Sequence, residues 1–146
     1  MGYKHDKDSQ EERASTQLIM QHFKKMYRRC KDVSQIAVVV PTRANGTGCY
    51  KLNQLIQDIV LPQRRGEGIE LGTKNQPFTI YKGDKVINLV NNYEVKPNIF
   101  NGNMGEVVEV DKENNKIVVD FYNIGLVEVK GKNLDNLDLG YAITCH

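Results

Sequence analysis

The stretch VVVPTRANGTGCYKLNQLI, residues 38–56, runs from an apolar β-branched run through Arg43 and two glycines into a helix-like pattern. A strand, a glycine-bearing turn and a helix start gather free backbone N–H groups and the positive end of the helix dipole, a geometry that can hold an anion. The phosphate-cradle patterns G-x-x-x-x-G-K-[ST] and G-x-G-x-x-G are nevertheless both absent. Gly46 and Gly48 supply Gly-x-Gly, but Lys51 stands where the third glycine belongs, and no lysine directly follows either glycine. Taken alone, the segment reads as a strand-to-helix turn.

The flanks place this turn in an α/β layer. From Glu11 to Lys31, Leu18, Ile19, His22, Phe23 and Met26 recur at helical spacing, with the cationic residues in the last turns, where the dipole favours them. Residues 1–10 are polar and read as a disordered or weakly attached tail. Ile36–Val40 has the continuous apolar character of a buried parallel strand, ended by Pro41. Leu52, Leu55, Ile56 and Ile59 mark a second helix that stops at Pro62. Helix, strand and helix in that order predict an α/β layer, not a bundle.

After Pro62 the composition changes. QRRGEGIELGTKNQ carries three glycines and no strong period, and reads as a connection. Four strands are then predicted at Lys85–Val90, Glu106–Val110, Lys116–Tyr122 and Leu126–Lys130, with hairpin-length turns DKENN and NIG between the last three. Such a meander describes a small antiparallel barrel of roughly 55 residues. LDLGYAITCH, residues 137–146, returns to a buried-strand pattern, and the expectation is that this element continues in a longer parent protein. The predicted fold is therefore α/β plus β.

A length of 146 residues and an apolar fraction of 40% fit one ordinary domain or two small ones. No apolar run approaches the roughly 18 residues of a membrane span, and no secretory pattern is visible, so a cytoplasmic protein with no membrane partner is expected. Cys30, Cys49 and Cys145 are widely spaced without C-x-x-C, which predicts reduced thiols and no metal site. Residues 1–74 hold 13 basic and 8 acidic side chains, while residues 75–146 hold 7 and 10. The basic excess lies in KKMYRRCK, residues 24–31, and in Arg64 and Arg65; it is either a phosphate-contacting patch or a solvated face.

Four ordered stretches carry a more specific resemblance. They are VVVPTRANGTGCYKLNQLIQDIVLP, YKGDKVINLVNNYE, IFNGNMGEVVEV and LDLGYAITCH. Together they resemble the C-terminal motor half of the RecD/TraA family of superfamily-one DNA helicases, the exodeoxyribonuclease V alpha-subunit-like proteins. The first is similar to motif IV, the middle two to an inserted barrel, and the last to the opening of motif V. The resemblance implies a partial second RecA-like motor domain at residues 11–74 and 136–146, interrupted at 75–135 by a Src-homology-3-like (SH3-like) β-barrel. It implies a parent that hydrolyses ATP with Mg2+, translocates on single-stranded DNA and unwinds duplex DNA, with the other motor domain of the same parent chain as partner. The Walker A lysine, the Walker B acid pair, the Lys-Ser-Gln-Gly continuation of motif V and the motif VI arginine do not occur in this chain. The segment alone is therefore expected to be inert in ATP hydrolysis and to bind neither cofactor.

The same resemblance gives Arg43 a nucleotide-phosphate contact in the parent, against the plain reading of a loop arginine. Thr144 and His146 open motif V, between nucleotide and DNA. Asn91, Asn92 and Tyr93, with Phe100 and Asn101, are candidates for nucleic-acid contact, because amides bond phosphates or bases and an aromatic face stacks on an unpaired base for about 1–3 kcal/mol. Asn-Asn and Asn-Gly are equally turn formers, and the aromatics could close the barrel core. Cys145 and His146 point to opposite faces of a strand and do not form a nucleophile–base pair. A stand-alone nucleic-acid-binding or protein-interaction barrel is the alternative reading.

Overall fold

The computed structural model describes residues 2–41, 46–64 and 66–145. The elements are helix α1 (Gly2–Cys30), a 3-10 turn (Val33–Gln35), strand β1 (Val38–Pro41), helix α2 (Gly46–Val60), β2 (Ile69–Gly72), β3 (Pro77–Ile80), β4 (Lys85–Asn88), β5 (Met104–Asp111), β6 (Lys116–Phe121), β7 (Gly125–Lys130), a second 3-10 turn (Gly131–Asn136), β8 (Leu137–Leu139) and β9 (Ala142–Cys145).

Helix α1 begins nine residues before the expected start at Glu11, so the tail predicted for residues 1–10 is helical from Gly2 onward. No Gly or Pro interrupts residues 3–30, and once a helix exists each added residue contributes one hydrogen bond without a new nucleus. It stops where Lys31 takes φ +52° and Asp32 caps the next turn by accepting from Ser34 N–H at 3.0 Å. The buried face is Met20 and Phe23, flanked by Ile19 and Tyr27, with the Phe23 and Tyr27 rings stacked at 5.7 Å. Leu18 (56% exposed), His22 and Met26 (51%) lie outside it. The predicted apolar face thus merges two neighbouring rows of the helix, of which only one is covered.

β1 and β9 pair in parallel, from Val38 opposite Ala142 to Pro41 opposite Cys145. α2 turns inward a stripe that is half aliphatic, Leu52 and Ile56, and half amide, Asn53 and Gln57, all buried. β2 and β3 form a separate antiparallel hairpin whose first strand and turn lie inside the segment expected to be a connection, residues 63–76, with β3 following directly after it. Each strand has only four residues, too short for alternation to register, and the turn Thr73–Gln76 is held by a Thr73 hydroxyl accepting from Gln76 N–H at 3.1 Å, without an Asn-Gly signal.

The other strands form an antiparallel sheet in the order β7-β6-β5-β4-β8. Val107, Ile117, Val119, Phe121, Val127 and Val129 alternate inward and are buried, and a bulge between Val107 and Glu109 bends β5. Among the described residues the ladder does not close into the expected barrel, since β7 and β8 remain its edges. Yet the six-residue turn Gly131–Asn136 joins those edges. A flat five-strand sheet would set them about 19 Å apart, whereas a 3-10 turn of this length spans about 12–14 Å, so the sheet is strongly coiled. Leu134 from the turn fills the opening.

LDLGYAITC is two strands, not one. β8 pairs antiparallel with β4, and β9 pairs parallel with β1. The partner changes at Gly140, four residues after the expected return of the α/β layer at 136. Gly140 N–H donates to Lys85 C=O at 2.8 Å, and a Cβ there would lie 2.8 Å from the Val86 carbonyl carbon. Only a residue without a side chain lets the backbone cross so close to β4.

Buried polar groups fasten the two layers at this crossing. The Asp84 carboxylate accepts from the Tyr141 hydroxyl at 2.6 Å, from the Gln57 amide at 2.8 Å and from Tyr81 N–H at 2.8 Å. The same Gln57 amide donates to Thr79 C=O at 2.8 Å. Asn53 grips Ala142 from both sides, accepting its N–H at 2.7 Å and donating to its C=O at 3.1 Å. Lys85, turned the other way, donates to Val33 C=O at 3.2 Å and Ile36 C=O at 3.0 Å, ahead of β1. Burial pushes the Asp84 carboxyl above its ordinary range, partly offset by its three donors, and pushes the Lys85 ammonium below its own.

Asp84→Ala strands three buried donors and is expected to cost about 3–5 kcal/mol in urea unfolding; a loss below about 1 kcal/mol would contradict the arrangement. Gly140→Ala pushes a methyl into the β4 backbone and should cost about 1–3 kcal/mol or more in the same experiment. Lys85 holds its proton less tightly folded than unfolded, so just below its ordinary value of 10.5 the unfolded chain binds more protons and stability rises with pH. Lys85→Met should flatten that alkaline rise relative to the unsubstituted chain.

Candidate functional site

The loop from Leu89 to Asn103, between β4 and β5, is built on asparagines turned toward backbone. Buried Asn88 donates from its amide to Val90 C=O at 2.7 Å and Phe100 C=O at 3.0 Å. Asn91 accepts Asn101 N–H at 2.9 Å, Asn92 accepts Glu94 N–H at 2.9 Å, and Asn103 accepts Phe100 N–H at 2.7 Å. The backbones of Asn92 and Ile99 exchange hydrogen bonds of 2.7 and 3.2 Å, with the Ile99 side chain fully buried beneath. Short amides bonding nearby backbone replace a regular ladder here.

This scaffold holds two aromatic rings outward. Tyr93 is 66% exposed and Phe100 44%, and they meet edge to face with centroids 6.0 Å apart. Neither closes the core; Leu89 and Val90 are exposed on the same loop. Of the amides singled out from sequence, Asn92 is buried at 5% exposure and its Nδ2 has no hydrogen-bond partner, while the Asn91 side-chain oxygen is held by the loop itself. Tyr93 and Phe100 are the side chains of this group free to stack.

Asn101 instead lines a cleft of about 540 Å³ that also includes Thr144. Its walls come from α2, the β2–β3 hairpin, β8 and β9. Thr144 sits opposite Val40 in the parallel pair. The Cys49 thiol donates to Ala142 C=O at 2.9 Å, and burial, with a smaller push from Asp138, raises its pKa, so it is a hydrogen-bond donor here and not a nucleophile. Burial likewise raises the Asp138 carboxyl, against a hydrogen bond from Leu139 N–H at 2.8 Å. Arg43 and His146 lie outside the described residues.

The basic excess is divided. Lys24, Lys25, Arg28 and Arg29 are exposed along the end of α1. Arg64 pairs with Asp58 and lies over the Tyr81 ring at 5.7 Å, and Arg65 is outside the described residues. Among the described residues no group of three or more His, Cys, Asp or Glu is placed to hold a metal ion, and no helix is long and apolar enough to cross a membrane. Residue-level reading passed over Asn53, Gln57, Asn88 and Asp138, which look like ordinary polar positions in one dimension. Asp84 was likewise visible only inside a quoted stretch, and Lys85 only as the start of a predicted strand.

Comparison with known proteins agrees with this architecture. A family profile described as "ATP-dependent RecD-like DNA helicase SH3 domain" matches residues 52–121. The chain is 34% identical over 121 residues to the ATP-dependent RecD2 DNA helicase of Deinococcus radiodurans, covering 83% of this chain and 15% of that protein. The chain thus corresponds to a small part of that relative's length. Among solved structures, unliganded Pif1 from Bacteroides sp superposes with a TM-score of 0.53 at 17% identity, over 77% of this chain and 42% of that one. Bacteroides Pif1 in complex with ADP-AlF3 and ssDNA also gives 0.53, at 16% identity, over 74% and 30%. At such identities the likeness concerns the fold: mixed helix and strand around an antiparallel sheet. The profile match spans α2 to β6, the stretch holding Asn53, Gln57, Asp84 and the asparagine loop, so residues 52–121 are similar to the SH3 domain of RecD-like DNA helicases.

Proposed function

We propose that this chain is part of an ATP-dependent DNA helicase that moves along single-stranded DNA and unwinds duplex DNA. It supplies part of the second RecA-like motor domain, residues 11–74 and 136–146, and the SH3-like coiled sheet inserted into it. The observation that carries this reading is the crossing at Gly140, where one segment leaves the coiled sheet beside β4 and enters the parallel pair beside β1. A motor domain that must carry an accessory sheet through a stroke needs such a stiff joint, and the buried hydrogen bonds of Asp84, Asn53 and Lys85 supply it.

In this reading the exposed Tyr93–Phe100 pair meets unpaired bases of the tracked strand. Stacking suits a translocating protein because every base offers a π-face, whatever the sequence. ATP and Mg2+ are held chiefly by the other motor domain of the parent, with Arg43, Thr144 and His146 as this chain's candidate contacts to the nucleotide; the segment alone does not turn over ATP. The ADP-AlF3 and ssDNA seen with the Bacteroides Pif1 neighbour support the pairing of these two ligands.

Tyr93→Ala and Phe100→Ala should each weaken single-strand binding by about 1–3 kcal/mol, measured by fluorescence anisotropy at fixed salt, while the thermal midpoint stays within a few degrees. Asn88→Ala, by contrast, should lower the thermal midpoint because Val90 and Phe100 lose their shared donor. In the intact parent, Arg43→Ala should reduce ATP turnover by about 10³-fold or more, as loss of an arginine finger does. Unchanged turnover would remove Arg43 from the nucleotide site. A stand-alone binding module would instead bind DNA with no effect of these aromatic substitutions on unwinding by the parent.

A further inference from the structure

The cleft beside the aromatic pair has a chemistry of its own. At about 540 Å³ it falls within the range of small-ligand pockets. Its floor is apolar, with Phe78, Ile87, Leu137 and Ile143 among its walls. Among the described lining residues there is no lysine or arginine, and the charged groups are Asp135 and Asp138. A phosphate is therefore not what the interior accepts; it suits a flat, largely apolar group that carries hydrogen-bond donors. Asn101, which lines the cleft, directly follows Phe100 in the chain, so the exposed ring and the cleft belong to adjacent residues whose Cα atoms are about 3.8 Å apart.

We infer that the cleft takes one nucleobase out of the tracked single strand, with the sugar-phosphate left outside and the Asp138 carboxylate accepting from an exocyclic amino group. The inference rests on the proposed single-strand binding and adds to it a preference among bases. One Asp138 oxygen already accepts Leu139 N–H, which fixes the carboxylate and leaves its other oxygen for the base. Cytosine presents its N4 amino donor to such a group, whereas uracil presents the O4 acceptor at the same place, which a carboxylate repels. The aromatic pair supplies affinity without sequence preference, and Asp138 adds discrimination on top of it.

The test compares oligo(dC) and oligo(dU) of equal length on the unsubstituted chain and on Asp138→Asn, by fluorescence anisotropy at fixed salt. Wild type should bind oligo(dC) roughly tenfold more tightly. Asp138→Asn keeps an acceptor for Leu139 but can offer an amide donor to the cleft, so the preference should vanish or reverse with no loss of oligo(dU) affinity. Equal, measurable binding of both tracts by wild type overturns the inference while leaving the single-strand reading intact. So does a cytosine preference that survives Asp138→Asn. If Asp138→Asn instead strengthens both tracts equally, the carboxylate only repels phosphate and faces a basic protein segment, again overturning it. No binding of either tract removes the single-strand reading on which the inference stands.

Discussion

The Asp84 carboxylate is the constraint on which the arrangement depends. A buried anion with no partner is costly enough that it would protonate or pull the local structure apart, so its surroundings must supply donors. Here they come from three different places: Gln57 on α2, the Tyr81 backbone before β4, and Tyr141 between β8 and β9. Each donor belongs to an element that would otherwise be free to shift relative to the other two. Satisfying one group thus fixes the helix, the coiled sheet and the crossing strand together. Asn53 and Lys85 extend the same logic, one gripping Ala142 and the other holding the segment ahead of β1.

This joint explains how the exposed aromatic side chains can sit on a loop and still be held in place. The asparagine loop hangs from Asn88 at the end of β4, four residues from Asp84. Its tip carries Tyr93 and Phe100 outward, and its far side, at Asn101, borders the cleft shared with Thr144. The aromatic pair, the cleft and the start of the α/β layer are therefore held in one frame.

The sequence showed the pieces that depend on local periodicity and left hidden those that depend on pairing at a distance. β5, β6 and β7 were legible because their apolar residues alternate and short Asn-, Asp- and Gly-rich turns separate them. The β2–β3 hairpin was not, since four-residue strands contain too few alternations to stand out from a glycine-rich link. Leu137 to Cys145 looked like one strand because both halves are apolar, and nothing local announces that Gly140 changes partner. The helix start at Gly2 was missed because a polar, charged run is compatible with either a tail or a solvated helix. At the candidate site, Tyr93 and Phe100 were singled out because aromatics beside turn residues are conspicuous, and both are exposed. The inward role of Asn92 was not, since an Asn-Asn pair reads the same whether it faces solvent or backbone.

The claim that one buried carboxylate welds the sheet to the α/β layer is tested most directly by native-state hydrogen exchange at two amides. Ala142 N–H belongs to the crossing gripped by Asn53, and Val119 N–H lies in the middle of the coiled sheet. If the weld holds, both amides exchange through the same opening, with equal free energies and equal dependence on denaturant. If Ala142 exchanges at a much lower free energy while Val119 stays protected, the layers open separately and the account is wrong.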